Sequence, residues 1–193
     1  LVSFEDKKIY EEQILYVDSM FFRVFGHSFL EGDETNCLNE PNIIVLVKSF
    51  AEKYFSNQPA LGRILTLDGK KYKVTGVVSN PDQPTHLRFN GLISLSTLND
   101  HPRYGQYLKT PFAFITTTYL LLRPGLKPTD IQTNIDRVVD KYMNFPDSAE
   151  RVSSEQERMA TMSLQSIRSI HLHSNVLHEL DRKSTRLNSS HGK

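Results

Sequence analysis

Two histidines spaced two residues apart, His171 and His173, come nearest to a chemical constellation in this sequence. On a strand that spacing puts both imidazoles on one face, and paired imidazoles bind zinc or copper. His178 and Glu179 follow, but no Asp, Glu or Cys set with ligand spacing completes a site. Surface or hydrogen-bonded imidazoles are the plainer reading. His27, His86 and His101 are isolated. The single cysteine, Cys37, lies in a polar stretch and reads as a free thiol, at the surface or half-buried. The carboxylates at Glu11 and Glu12, and at Glu155 and Glu157, read as solvated faces.

Nucleophilic and phosphate chemistry find no support. There is no Gly-x-Ser-x-Gly elbow, and no nucleophile, base and orienting group stand at a recognisable spacing. Neither glycine-rich phosphate loop occurs, so the chain is not expected to hydrolyse ATP by itself. Phe21, Phe22, Phe25, Phe50, Tyr54 and Phe55 could line a ligand pocket, although aromatics at these spacings usually form plain core. No catalytic, cofactor-binding or metal-binding residue is assigned, no cofactor is expected, and the chain does not read as an enzyme.

Composition narrows the classes further. The 193 residues suit one domain or two small ones and can bury a real core. A formal charge of +1 gives no field to gather nucleic acid, which is not an expected partner. No apolar run approaches the 18 or so residues that a membrane helix needs. The chain starts at Leu1 without Met or a signal peptide and reads as a fragment of something longer. Residues 182–193 are polar, without apolar period, and read as a non-native or disordered tail.

The elements follow from local pattern. Ile14 to Val17 reads as a short strand. Asp18 then caps a helical turn carrying Phe21, Phe22, Val24 and Phe25, with Gly26 as its left-handed end. Ile43 to Val47 is apolar throughout and reads as a buried strand. Ser49 and Glu52 form a capping box for a helix bearing Phe50, Ala51, Tyr54 and Phe55. Asp68-Gly69 between two β-prone runs predicts a hairpin. Along its second arm, Tyr72, Val74 and Gly76 should be dry and Lys71, Lys73 and Thr75 wet. Leu87 to Leu95 reads as a strand, and Asn99 to Pro111 as a long loop. Ala113 to Leu122 reads as a ten-residue strand. Thr129 and Gln132 then cap an amphipathic helix that buries Ile131, Ile135, Val138, Val139 and Tyr142. Leu164, Ile167, Ile170 and Leu172 suggest a closing extended segment, so 113–172 reads as a split βαβ unit.

One ordered series carries more weight than any single motif. It runs Asp18-x-x-Phe21-Phe22-x-Val24-Phe25, Leu30-x-Gly32-Asp33, Pro41 to Leu46, Ala51 to Phe55, Leu61-Gly62-Arg63, Tyr72 to Val78 and Thr85-His86-Leu87. Downstream come Tyr119-Leu120-x-Leu122 and Ser169-Ile170-His171-Leu172. This order resembles the MacB-like periplasmic core domain of FtsX/MacB-family ABC transporter permeases, in its Bacteroidetes-type variants, over nearly all of residues 10–181.

The resemblance implies an α+β fold: a mostly β, Sabre-like inserted subdomain, mainly residues 1–108, and the second half of a porter-like βαβ subdomain, residues 109–181. The first porter segment is expected to be missing, with the transmembrane helices and the ATPase. The implied role is mechanotransmission, in which cytoplasmic ATP hydrolysis drives periplasmic export or activates a partner. The implied setting is the bacterial inner membrane, with this segment facing the periplasm. The partners implied are the rest of the permease, a cytoplasmic ATPase, a second permease copy, and a periplasmic adaptor or lipoprotein. The competing reading is a periplasmic small-molecule or peptide binding module built on the aromatic set.

Overall fold

The structure, a computed structural model, describes residues 2–4, 7–9, 13–56, 58–81, 87–110, 116–142 and 162–167. Its centre is strand β5. Strand β5 spans Ile43–Val47, and all five side chains are buried. A strand that is apolar on both sides needs cover on both faces. Ile44 and Leu46 enter a cluster with Phe50, Tyr54 and Phe55 of helix α2 (Lys48–Phe55). Val45 and Val47 enter a second cluster with Phe21, Phe22, Phe89 and Leu92.

One mixed sheet holds β5 in place. Its order is β2 (Lys7–Ile9), β1 (Val2–Phe4), β6 (Ile64–Leu67), β7 (Lys70–Val78), β5, β8 (Gly91–Ser94) and β3 (Ile14–Val17). Strand β5 runs parallel to β7 and antiparallel to β8, and β8 runs parallel to β3. Strand β7 is long enough to hold two partners end to end on one edge. Lys70 to Lys73 pair with β6, and Gly76 to Val78 pair with β4 (Phe29–Gly32). Mixed strands with few helices agree with the expected α+β class.

The hairpin forms as its sequence predicts. Asp68 and Gly69 have φ of 48° and 80°, and β6 returns antiparallel as β7 with Leu67 opposite Lys70. Positive φ at both central residues is the type I′ signature.

Beyond Val74 the expected alternation breaks. Ile44 lies opposite Val74, but Val45 lies opposite Gly76, so Thr75 is the extra residue of a β-bulge. The Thr75 hydroxyl donates to the Cys37 carbonyl at 2.7 Å, with the Ile44 carbonyl 3.3 Å away. The bulge shifts phase by one residue. Tyr72, Val74 and Val77 therefore share the α2 face. Gly76 is buried toward the opposite face, where a Cβ would meet Phe29 at 3.0 Å and Val45 at 3.4 Å.

Several local expectations are corrected by long-range contacts. Helix α1 (Phe21–Val24) ends with Phe25 in extended backbone, and Gly26 is not left-handed. Helix α2 has no side-chain capping bond from its own N-terminus. Asn80 Oδ1, beyond the end of β7, accepts the Ser49 N–H at 3.1 Å instead. Strand β8 begins only at Gly91, and a 3-10 turn over Leu95–Leu98 follows it. The polar stretch after it contains a short helix, α3 (Tyr104–Tyr107). Of the strand expected over 113–122, residues 116–122 carry no regular structure, and 113–115 lie outside the described residues.

Helix α4 (Pro128–Tyr142) forms, but its box differs from the expected one. Asp130 Oδ2 reaches back to the Lys127 N–H at 2.7 Å, with Pro128 in the first turn. The helix rests on the line Ile131, Ile135 and Val139, and only Val139 is fully buried. Val138 and Tyr142, expected on the buried face, are exposed. Met162 to Ser166 have no regular structure, Ile167 sits in a 3-10 turn, and Ile170 and Leu172 lie outside the described residues.

Gly32 closes the fold around the bulge. It has φ of +90°, and a Cβ on it would lie 2.4 Å from the Thr75 carbonyl oxygen. Gly32→Ala should therefore lose roughly 2–4 kcal/mol through backbone strain and clash. Gly26 has open space and no positive φ. Gly26→Ala should stay within about 0.5 kcal/mol of the parent. Urea unfolding of both variants checks this, and equal losses would refute the close-approach account.

Candidate functional site

The aromatic set singled out from sequence does not form one pocket. Phe21, Phe22 and Phe25 lie on one face of the sheet, and Phe50, Tyr54 and Phe55 lie on the other. The sheet itself separates them. Each half packs into its own hydrophobic cluster, with Phe25 partly buried, which is the plainer of the two expected readings.

The α1 half is the denser. Asp18 Oδ1 accepts the Met20 N–H at 2.8 Å and starts the turn close to where the sequence placed a cap. One turn then presents Phe21 and Phe22 inward. Phe21 meets Phe22 edge-on at 5.3 Å and Phe89 edge-on at 5.8 Å. Phe22 meets Phe29 at 4.8 Å, and Phe25 meets Tyr119 at 5.0 Å, both edge to face. These are favoured arrangements of ring quadrupoles.

His27 sits among these rings, where sequence reading treated it as isolated. It stacks on Phe21 at 6.2 Å and meets Phe22 and Phe89 edge-on at 5.9 and 5.3 Å. Burial lowers its pKa, because the rings give an imidazolium less than water does. The usable signal was its position between Phe25 and Phe29, two β- and core-forming rings. Burial likewise raises the Tyr119 hydroxyl pKa. On the other face, burial and then the Tyr16 hydroxyl 3.5 Å away raise that of Tyr72.

Cys37 is buried rather than at the surface, 3% exposed, with Sγ 3.5 Å from the Glu34 carbonyl. Burial pushes its thiol up to about 11. A thiol so placed is a core residue and a poor nucleophile. Asp33 opens the same loop. The Thr35 N–H and the Asn36 amide, at 3.1 and 2.7 Å, hold its carboxyl below the ordinary range.

His86, His171, His173, His178, Glu179, Glu11, Glu12, Glu155 and Glu157 lie outside the described residues. His101 accepts the N–H groups of Arg103 and Tyr104 on Nδ1, at 3.1 and 3.3 Å. Among the described residues no three His, Cys, Asp or Glu side chains gather as a metal site. None of their helices is long and apolar enough to cross a membrane. What the geometry offers is a two-sided packed module with a shaped surface. Its buried titratable groups stay neutral.

His27 makes this testable through pH. A folded-state pKa below the ordinary 6.5 means that its contribution is intact above pH 6.5 and is lost as pH falls below that value. His27→Phe keeps a ring in the cluster and removes the proton site. The variant should lose less stability between pH 7 and pH 5 than the parent in urea titrations. Equal slopes would remove neutral burial of His27 as a source of the pH dependence.

Comparison with known proteins agrees with this geometry. The family model for the MacB-like periplasmic core domain matches residues 2–138. No curated protein sequence matches the chain. Among solved structures, a domain assigned to a permease protein of Porphyromonas gingivalis aligns with a TM-score of 0.56 at 18% identity, over 74% of this chain and 65% of that one. The periplasmic region of MacB from Actinobacillus actinomycetemcomitans aligns with a TM-score of 0.45 at 18% identity, over 66% of this chain and 55% of that one. The extracellular domain of the noncanonic ABC-type transporter YknZ from Gram-positive bacteria gives 0.36 at 21% identity, over 47% and 50%. The chain thus spans less than two thirds of each of these three structures. The match over residues 2–138, on a mixed sheet packed on both faces, places the chain in the family of MacB-like periplasmic core domains.

Proposed function

We propose that this chain is the extracytoplasmic part of an ABC transporter permease and works as a stiff coupling and docking piece. In this reading, ATP hydrolysis in a cytoplasmic subunit shifts the membrane helices of a permease dimer, and the domain moves with them as a body. The motion drives export of a substrate in the periplasm or engages an adaptor or lipoprotein there. Residues 1–108 act mainly as the inserted subdomain, and 109–181 as the second half of the porter-like one.

Family membership over residues 2–138 supports the setting. The observation that carries the mechanical role is the closure of β5 on both faces, with all five side chains buried. Close-packed interiors deform little and transmit displacement. The buried thiol of Cys37, with its raised pKa, and the half-buried imidazole of His27, with its lowered one, support a role without bond chemistry for these two groups.

The test uses the full-length permease with its ATPase in nanodiscs. Spin labels at Glu52→Cys and Lys71→Cys, both on exposed side chains, report distance within one domain. Cys37, buried with a raised pKa, stays unlabelled. Lys71→Cys alone reports the distance between two copies. On adding a non-hydrolysable ATP analogue, the internal distance should hold within about 2 Å while the distance between copies changes by more than that. An internal change as large as the one between copies would defeat the stiff-body reading. No change in either would defeat the coupling.

A further inference from the structure

The loop after β8 carries an aromatic and cationic knob that the coupling role leaves without a task. His101, Arg103, Tyr104 and Tyr107 lie on and just before α3. Tyr104 and Tyr107 remain 38% and 39% exposed, three residues apart on one side of the short helix. The His101 ring packs on Tyr104 at 4.8 Å, and the Arg103 guanidinium lies over the same ring at 5.8 Å.

This knob is held rigidly. Gly105 N–H bonds to the His101 carbonyl at 2.9 Å, and Leu108 N–H to that of Tyr104 at 3.1 Å. Thr110 Oγ1 donates to the Gln106 carbonyl at 2.9 Å. A Cβ on Gly105 would fall 2.3 Å from the Asn99 carbonyl, so the turn fits only around glycine. A loop already ordered loses little entropy when a partner covers it. Rigid exposed tyrosines beside an arginine are the usual anchors of protein interfaces.

The knob leans toward donors and positive charge. His101 Nδ1 accepts backbone N–H groups, which leaves Nε2–H pointing elsewhere as a donor. The Arg103 guanidinium adds donors only, the two tyrosine hydroxyls can donate or accept, and Arg103 and Lys109 outnumber Asp100, the one acid within residues 99–110. The backbone amides of Arg103 and Tyr104 are already taken by His101, so the side chains present the binding groups.

We infer that the knob formed by His101, Arg103, Tyr104 and Tyr107 is a docking surface for a protein segment that presents carboxylates beside apolar side chains. Charge complementarity selects this occupant: donors and a guanidinium around two rings match acidic-apolar peptide chemistry. The inference rests on the docking half of the function proposed above. Its test is independent, because peptide binding can fail while the spin-label distances move, and the reverse.

The test is selection of a random peptide library on the full chain. Enriched peptides should carry Asp or Glu next to Leu, Ile or aromatic residues. Synthetic versions should bind at least tenfold more weakly once their acids become amides, and tenfold more weakly to Tyr104→Ser. Circular dichroism and thermal unfolding of the variant confirm that it is folded. Arg103→Glu, a surface change, should reverse the preference toward Lys-bearing versions of the same peptides. The inference is overturned if the selected peptides lack acids, or if they bind the Tyr104→Ser and Arg103→Glu variants unchanged. It is also overturned if phosphatidylglycerol vesicles bind the chain through these residues while acidic peptides do not.

Discussion

Everything in this fold answers to the need to cover β5 on both sides. Its five side chains are each worth roughly 1.5–3 kcal/mol when removed from water. Together they approach the whole net stability of an ordinary domain, about 5–15 kcal/mol. No single layer could do this, so the sheet must lie between two clusters. Helix α2 closes one side. On the other, α1, Phe29, Phe89 and the loop holding Cys37 and Leu38 close it from scattered stretches of chain. The aromatic residues are therefore divided between the faces by the strand they serve.

The bulge at Thr75 lets one strand serve both clusters. Strict alternation would have left Val77 pointing away from Val74. The added residue brings Tyr72, Val74 and Val77 to one face and turns Gly76 to the other, where the Phe29 ring of the neighbouring strand β4 packs close. Thr75 suits that position because its hydroxyl donates to the Cys37 carbonyl of the neighbouring loop, with the Ile44 carbonyl also in reach. Gly32 then passes the bulge where no side chain fits. A glycine, a threonine and a buried strand thus form one device, although they are far apart in sequence.

This explains what could be read beforehand. The β5 run, the Asp68-Gly69 hairpin, the α2 core residues and the turn after Asp18 announce themselves within a few residues, because local pattern determines them. The phase shift at Thr75 does not, since it depends on where Cys37 and Ile44 lie. Nor does the capping of α2 by Asn80, which is a contact made by the fold. Strands β1 and β2 have three residues each, too short for any period to show. Less of the α4 stripe is buried than its pattern implies, because the period alone does not say how much of a face meets a neighbour. His27 in its aromatic cluster and the exposed tyrosines flanking Gly105 were visible as residues. Their surroundings were not, since aromatic clusters and knobs assemble across gaps in the chain. The family series from Asp18 to Leu87 was legible because it records many such contacts at once.

The pairing of β3 with β8 has a consequence in time. Ile14 stands opposite Gly91, so the earlier strand must wait for about 77 further residues before its neighbour exists. At a synthesis rate of about 5–20 residues per second, that wait lasts roughly 4–15 seconds. Throughout it, Ile14-Leu15-Tyr16-Val17 is a free β edge next to the phenylalanines of α1, the kind of segment that other chains capture. Parallel pairing sets the delay, because no tight turn can bring such strands together early. For a chain of this topology the hazard lies in the order in which its halves emerge, and a holding chaperone during synthesis or translocation would act on the stretch from Ile14 to Phe25.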